Sequence, residues 1–244
     1  MQRQAQRHVG LPNASGPPDW RRKAARLTAE YRSGGMRNAA AFALRILSRA
    51  FAPWIALESR ACVLVPWAQA LALAGASPKP DGRIRARRVT QEELAEYSKK
   101  PDYHITSAFL RGLRPRRDIC MGVFVDGILA AYSFLSVAPT PVDGPLAFCF
   151  PHGWVYVYKS FTHPDWRGRR LHGIGILQAI RELGEASQSH YSGLVALVAT
   201  DNRPSLRAFQ RLGFRATRVF HSLSVFTWGF CPGRASEGFE IRAL

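Results

Sequence analysis

Three arginines and three glycines crowd into one short stretch of the chain, Ser160-Phe-Thr-His-Pro-Asp-Trp-Arg-Gly-Arg-Arg-Leu-His-Gly-Ile-Gly175. The chemistry such a set serves is anion binding. Upstream, Val155 to Thr162 alternates aromatic and branched residues as a strand does; downstream, Leu171 to Ala186 has helical periodicity, so the stretch joins a strand end to a helix start. The unpaired N–H groups of a first helical turn and the positive end of the helix dipole attract an anion, and Gly168 lets the backbone approach it. Arg167, Arg169 and Arg170 add formal charge suited to phosphate. Alone, Arg-Gly-Arg-Arg serves equally as a solvated turn and helix cap. A second signal is needed.

It comes further along, in Ala199-Thr-Asp-Asn-Arg-Pro-Ser-Leu-Arg-Ala-Phe-Gln-Arg-Leu-Gly-Phe214. Together the two blocks resemble the GNAT superfamily of acyl-CoA N-acyltransferases. That family's cofactor motif is a strand, a Pro two or three residues before Arg-Gly, and an Arg/Gln-x-x-Gly-x-Gly/Ala turn opening a helix; Pro164 and Arg167-Gly168 fit it. The second block resembles the family's Asn-x-x-Ala/Ser-x-x-x-Tyr-Glu-x-x-Gly-Phe pattern. The resemblance covers roughly Gly82 to Trp228 and leaves the first eighty residues outside it.

The resemblance implies acetyl-CoA, or another acyl-CoA, as co-substrate, bound in a V between the fourth and fifth strands, with no metal. Its pantetheine would pair with backbone at Ser160, Phe161 and Thr162. Its pyrophosphate would sit on the amides of Arg167, Gly168, Arg169, Arg170, Leu171, His172 and Gly173, while Asn202, Ser205 and Phe209 would line the far wall. Two registers compete. Counting from Arg167 agrees with the place of Pro164 but sets Arg170 and His172 where the family has glycine; Arg170-Leu-His-Gly173-Ile-Gly175 fits the pattern literally. We favour the Arg167 register, in which non-glycine residues donate amides at negative φ and His172 comes near the phosphates.

In the implied reaction an amine attacks a thioester. An alkyl ammonium must first lose a proton, and the leaving thiolate needs one. The family often gives the second task to Tyr at the position held here by Phe209, which cannot donate, and the frequent carboxylate of the fifth strand is missing from Leu194 to Ala199. Three readings stay open: acylation driven by proximity and by polarisation at backbone amides, replacement groups elsewhere, or a fold kept for binding alone. Among Tyr156, Tyr158 and Ser160, which strict alternation would place on one strand face, Tyr158 and Ser160 are the candidate catalytic residues. The competing reading of Tyr158 is a packed core aromatic, and that of His163 and His172 a cap or phosphate contact.

The elements that must position these groups follow from local pattern. Ile84 to Val89 alternates as a strand, and Thr90 to Glu93 has capping-box spacing at a helix start. Tyr103 to Arg111 reads as a second helix. Ile119 to Val125 and Ile128 to Leu135 are strands joined by Asp126-Gly127, a type I′ hairpin signal. Leu194 to Ala199 is a buried-type strand, Pro204 to Leu212 a short helix, and Phe214 to Phe220 and Leu223 to Trp228 two closing strands. Ala138 to Gly153 reads as a variable loop that shapes acceptor specificity. The expected fold is α/β, with a mixed, partly antiparallel central sheet and flanking helices, plus a basic N-terminal extension.

With 244 residues the chain holds one ordinary core and a smaller attached element. Residues 1–35 read as a mobile basic arm, 36–81 as an N-terminal helix and strand extension that includes an amphipathic helix from Met36 to Phe51 and a strand-like run from Ala61 to Trp67, 82–230 as the acyltransferase domain, and 231–244 as a C-terminal tail. The net charge of +17 attracts anions generally. The first fifty residues hold ten Arg or Lys against Asp19 and Glu30 alone, so much of that basicity belongs to the arm. Nucleic acid is not expected as a partner, and peripheral membrane contact stays open. Cys62, Cys120, Cys149 and Cys231 lie far apart, which argues against a zinc site or disulfide framework and for reduced thiols in the cytoplasm. No signal segment or spanning helix is expected. A non-catalytic acyl-CoA-binding module, and a nucleic-acid or membrane-surface protein, are the alternative functions.

Overall fold

The computed structural model describes residues 55–78, 80, 82–113, 118–143, 145–185, 191–225, 228–231 and 238–243. The arm and the helix expected over Met36 to Phe51 lie outside them. The expected architecture is present: a mixed α/β fold around a large, mostly antiparallel sheet.

Its strands are β1 (Ile55–Pro66), β2 (Ile84–Arg88), β3 (Ile119–Val125), β4 (Ile128–Ser136), β7 (Trp154–Thr162), β8 (Gly193–Ala199), β9 (Arg215–Val225) and β10 (Trp228–Phe230). They run across the sheet in the order β10-β9-β1-β8-β7-β4-β3-β2. A second sheet, β11-β6-β5, joins β5 (Thr140–Asp143), β6 (Leu146–Cys149) and β11 (Glu240–Ala243). The helices are α1 (Trp67–Ala76), α2 (Gln91–Tyr97), α3 (Ser107–Leu113), α4 (Leu171–Glu185) and α5 (Arg203–Arg211). Among the described residues no helix is long and apolar enough to cross a membrane.

Alternation along the central strands sorts side chains onto two faces. Val155, Val157, Leu194, Ala196, Val63 and Val65 point to one face and pack with α1, α4 and α5. On the other face, Phe134, Tyr132 and Cys120 meet α2 and α3 over one half of the sheet. The second sheet covers the other half, where Phe148 and Ile241 pack on Cys62, Tyr156 and Val195. Tyr158 touches both of these clusters and so stands at the seam between α3 and the small sheet.

Local signals formed as read in several places. Thr90 Oγ1 accepts from the Glu93 amide at 3.2 Å while Glu93 returns a carboxylate to the Thr90 amide at 2.9 Å, the reciprocal capping box. Asp126 and Gly127 hold φ of 51° and 82°, as a type I′ turn requires.

The structure departs from expectation in five places. The segment 55–66, assigned to an extension, is an interior strand: β1 pairs antiparallel with β8 from Arg60–Ala199 to Pro66–Gly193 and with β9 along its other edge. Residues 52–244 accordingly form one compact unit, with no boundary at residue 82. Ala138 to Gly153 is the β5–β6 hairpin, and the expected tail supplies β11, which pairs with β6 from Glu240–Cys149 to Ala243–Leu146. The two closing strands are one long strand, β9, followed by the short β10. The helix expected from Tyr103 begins instead at Ser107, because Pro101 to Tyr103 closes a 3-10 turn that ends at His104 with φ 53°.

Candidate acyl-coenzyme A cleft

Among the described residues, β7 and β8 form the one parallel pair of the large sheet, and they separate midway. Their ladder joins Trp154–Gly193, Val155–Leu194, Tyr156–Val195 and Val157–Ala196 and goes no further. Beyond that point β7 stays with β4 as far as Thr162–Ala131, whereas β8 stays with β1 as far as Ala199–Arg60. The cause is local. Lys159 adopts φ 45° and the β4–β7 register slips between Tyr132 and Phe134, a bulge that adds twist and turns β7 away. One edge of β7 after Val157 is left with backbone donors and acceptors that no strand pairs.

The bulge also redistributes side chains, against the strict alternation expected of Tyr156, Tyr158 and Ser160. Tyr156 and Tyr158 stack with ring centroids 5.4 Å apart on one face. Phe161 lies 5.4 Å from Tyr132, on the same side as Tyr158. Ser160 turns to the opposite face, where Ser133 Oγ donates to its hydroxyl at 2.9 Å. The two candidate catalytic residues therefore lie on different faces.

Past Thr162 the chain makes a 3-10 turn, Pro164–Trp166, closed by the Arg167 amide donating to Pro164 O. Gly168 then takes φ 82° and Arg170 φ 60° before α4 opens at Leu171. The amides of Gly173 and Ile174 both donate to Arg170 O, which leaves those of Leu171 and His172 as first-turn donors without an intrahelical acceptor. The expectation that non-glycine residues of this loop hold negative φ fails at Arg170. A side chain in that left-handed region costs about 1–2 kcal/mol, and a glycine there would not incur it.

Between this loop, the end of β7 and α5 lies a cleft of about 580 Å³. It brings together Ser160, Phe161, Thr162, Arg167, Gly168, Arg170, Leu171, His172, Asn202 and Ser205. Four expected residues are not in its lining, Tyr158 among them, whose ring lies on the other face of β7. Arg169 stacks over Trp166 at 4.8 Å, Gly173 lies within α4 facing the Leu212 side chain, and Phe209 is 3% exposed, packed edge-to-face on Phe214 at 4.9 Å. Phe209 backs the wall because an apolar ring gains more in the core than beside a polar cleft.

His172 is wedged edge-on against Phe209, ring centroids 5.0 Å apart. Desolvation lowers its pKa from 6.5 to about 4, so it is neutral at physiological pH and adds no charge for phosphates. Its Nε2 is buried and finds no hydrogen-bond partner among the described residues. Positive charge in the cleft comes from Arg167 and Arg170, and from Arg207 and Arg211 of α5, which sequence reading overlooked. Their signal was spacing, since Arg203, Arg207 and Arg211 recur every four residues and share a helix face. Asn202 caps that helix, its Oδ1 accepting from the Ser205 amide at 3.2 Å. His163 stands apart, its Nδ1 3.6 Å from Asp165 Oδ2.

On the far face of β7, Tyr158 Oη donates to Asp118 Oδ2 at 2.6 Å. Asp118 also lines a second cavity, of about 950 Å³, bounded by α2, α3 and the start of β3. Sequence reading missed Asp118 because it ends the run Leu113-Arg-Pro-Arg-Arg-Asp118, which resembles a solvated charged loop. Only the fold sets it opposite Tyr158.

No protein-family model matches the sequence, and no curated protein matches it. Solved structures similar to the chain include a Drosophila protein (17% identity, TM-score 0.49, covering 76% of this chain and 58% of that one). Another is a GCN5-related N-acetyltransferase-like protein from Streptococcus suis (10% identity, TM-score 0.47, 74% and 66%). A third is the aminoglycoside N-acetyltransferase AAC(6')-Iy in complex with CoA (19% identity, TM-score 0.44, 58% and 94%). The chain spans less than two thirds of the length of the first two.

Proposed function

We propose that this chain is a GNAT-type N-acyltransferase, which moves an acetyl or other acyl group from acyl-CoA to an amine. The observation that carries the reading is the parting of β7 from β8 after Val157 and Ala196, directly before an arginine-rich helix start. An extended pantetheine arm needs a strand edge with unpaired amides and carbonyls, and the edge of β7 from Tyr158 to Thr162 offers one. A diphosphate needs amide donors, a helix N-terminus and cations. Leu171 and His172 supply the amides, and Arg167, Arg170, Arg207 and Arg211 the charge.

Acyl-CoA supplies an activated carbonyl and a thiolate leaving group. The protein's task is to orient the thioester, exclude water and deliver a proton to sulfur. Phe209 is unable to deliver it. Tyr158 holds a hydroxyl on the strand that bears the cofactor edge, and it is the donor in this reading, contributing on the order of 10²-fold as a general acid. Ser160 faces α4 and serves as a contact for the arm, with its hydroxyl held by Ser133.

The test is to incubate the purified protein with acetyl-CoA and a panel of amines and to titrate free thiol. Amine-dependent thiol release supports the reading. A specific observation favours one other: the buried Phe209 leaves the usual donor position empty, as a module that binds acyl-CoA without turning it over would. Tight thioester binding with no thiol release on any amine establishes that second reading instead.

A further inference from the structure

Trp228 and Phe230, the two large residues of β10, are 81% and 63% exposed. The register of β10 on β9 sets Trp228 beside Val225 and Phe230 beside Leu223, and that of β9 on β1 sets Leu223 beside Leu57 and Val219 beside Ala61. Residues directly opposite one another share a face, and alternate residues return to it. One face of this end of the sheet therefore presents Trp228, Phe230, Val219 and Leu223, all of them exposed. The other face is closed. A Cβ on Gly229 would lie 2.6 Å from the Leu146 side chain, so the small sheet rests directly on that side and both rings of β10 are held outward. Phe220 and Ser222 of β9 are buried on the same closed side.

Charge and area decide what such a face meets. Residues 202–236, which run from the cap of α5 through β9 and β10, hold Arg203, Arg207, Arg211, Arg215, Arg218 and Arg234 and no Asp or Glu. Glu58 of the neighbouring β1 stands opposite Ser222, on the closed side. A second copy of the chain suits this surface badly, because a twofold contact would set the arginine run against itself. It would also be small. Two aromatic rings at about 150–250 Å² each, with two partly exposed aliphatic side chains, fall short of the roughly 800 Å² per partner that a standard interface buries. Single-stranded nucleic acid suits the rings and the arginines, but Val219 and Leu223 offer a base nothing to stack on.

We propose that the β9–β10 face docks the protein on an anionic lipid surface. Trp228 and Phe230 enter the zone between head groups and acyl chains, where an aromatic ring gains apolar contact and the Trp indole N–H keeps a polar one. Val219 and Leu223 fill the space beside them, and the acid-free arginine run draws the protein towards negative head groups. A contact of this kind needs no interface of protein size, since a few inserted side chains and several cations act together. The inference is independent of the acyltransferase reading, for it uses neither the cleft nor its ligand.

The test incubates the full chain with vesicles of phosphatidylcholine alone and of phosphatidylcholine mixed with phosphatidylserine, and reads binding by co-sedimentation. Wild type is expected to bind the mixed vesicles about 10-fold or more tightly than the neutral ones, and added salt should weaken that binding. A double variant, Trp228→Ser with Phe230→Ser, should lose about 10–100-fold in affinity for the mixed vesicles. Its thermal midpoint should match wild type, because both rings are exposed. The ten Arg or Lys of the first fifty residues are common to both proteins, so the comparison isolates the rings. Trp228→Phe should keep most of the binding and lose part of the vesicle-induced blue shift in tryptophan fluorescence. Ile128→Ser, at an exposed apolar position towards the opposite edge of the sheet, should bind like wild type. Absence of binding by wild type, equal binding by wild type and the double serine variant, or equal affinity for neutral and mixed vesicles overturns the inference. So does a wild-type dimer in light scattering that the double variant converts to monomer, or an oligonucleotide complex that it abolishes while vesicle binding stays unchanged.

Discussion

Val157 on β7 and Ala196 on β8 are the last partners in the parallel ladder of the large sheet. One residue later Tyr158 faces Asp118, and two residues later Lys159 bulges the strand. In the proposed reading, the point where the sheet opens is also the point where the proton donor stands, which would couple cofactor seat to chemistry through a single strand.

Replacing Tyr158 with Phe tests that coupling. The ring keeps its stacking on Tyr156, so the fold should persist, and KM for acetyl-CoA should stay within a few-fold. The expected loss is about 100-fold in kcat, the lower end for a general acid. Steady-state thiol release checks it, and an unchanged kcat would return the reaction to proximity alone.

The basic face of α5 should matter for affinity and not for folding. Arg207→Ala and Arg211→Ala are each expected to weaken CoA binding about 10-fold, as for a lost charge-assisted contact, and to flatten its dependence on salt. Titrations at low and high ionic strength measure both effects.

Arg170 sets stability against binding. Its φ of 60° suits glycine, so Arg170→Gly should raise stability by about 1 kcal/mol, a gain of roughly 2–4 °C in Tm. The same change removes a cation from the cleft, and CoA affinity should fall. Thermal unfolding and calorimetry on the one variant read the two opposite signs.

His172 makes stability depend on pH. Its folded pKa of about 4 lies below the ordinary 6.5, so above pH 6.5 both folded and unfolded chains hold a neutral ring and it contributes no slope. As pH falls from 6.5 to 4 the unfolded chain takes up the proton first, and stability is lost across that window, by at most about 3 kcal/mol. Urea midpoints at pH 7 and pH 4.5 should diverge less in His172→Phe than in wild type.

The place of β1 sets a sharper limit on truncation. A chain starting at Gly82 lacks the strand between β8 and β9, including Cys62, Val63 and Val65, each no more than 2% exposed. Full burial of one such aliphatic side chain contributes about 1.5–3 kcal/mol, so the shortened chain should show no cooperative unfolding by circular dichroism. A sharp transition would restore the domain boundary expected at residue 82.

What the sequence disclosed was local. The capping box at Thr90 and Glu93, the Asp126-Gly127 turn and the strand-to-helix junction at Thr162 to Leu171 depend on contacts within a few residues, and those leave a pattern in the chain. The place of β1 depends on Val65 meeting Leu194, more than a hundred residues away, and nothing in residues 61–67 marks that partner. The bulge at Lys159 is similar: no glycine advertises its positive φ, so alternation put Ser160 on the face of Tyr158. Asp118 was hidden by its arginine neighbours, and Arg207 and Arg211 by the stronger motif signal of Asn202 and Phe209 on the same segment. The backbone turns of the junction at Pro164 and Gly168 were legible because glycine and proline record backbone geometry. Side-chain chemistry that crosses the sheet was not.

Titration calorimetry of acetyl-CoA against the intact protein, with Gly168→Val beside it, tests the central claim most directly. Valine is strained at φ 82° and should distort the loop that presents the α4 amides. Micromolar binding with one site by wild type, weakened at least 10-fold in the variant, is the expected result. No measurable heat with wild type, or equal affinity in both proteins, would contradict a diphosphate seat at the start of α4.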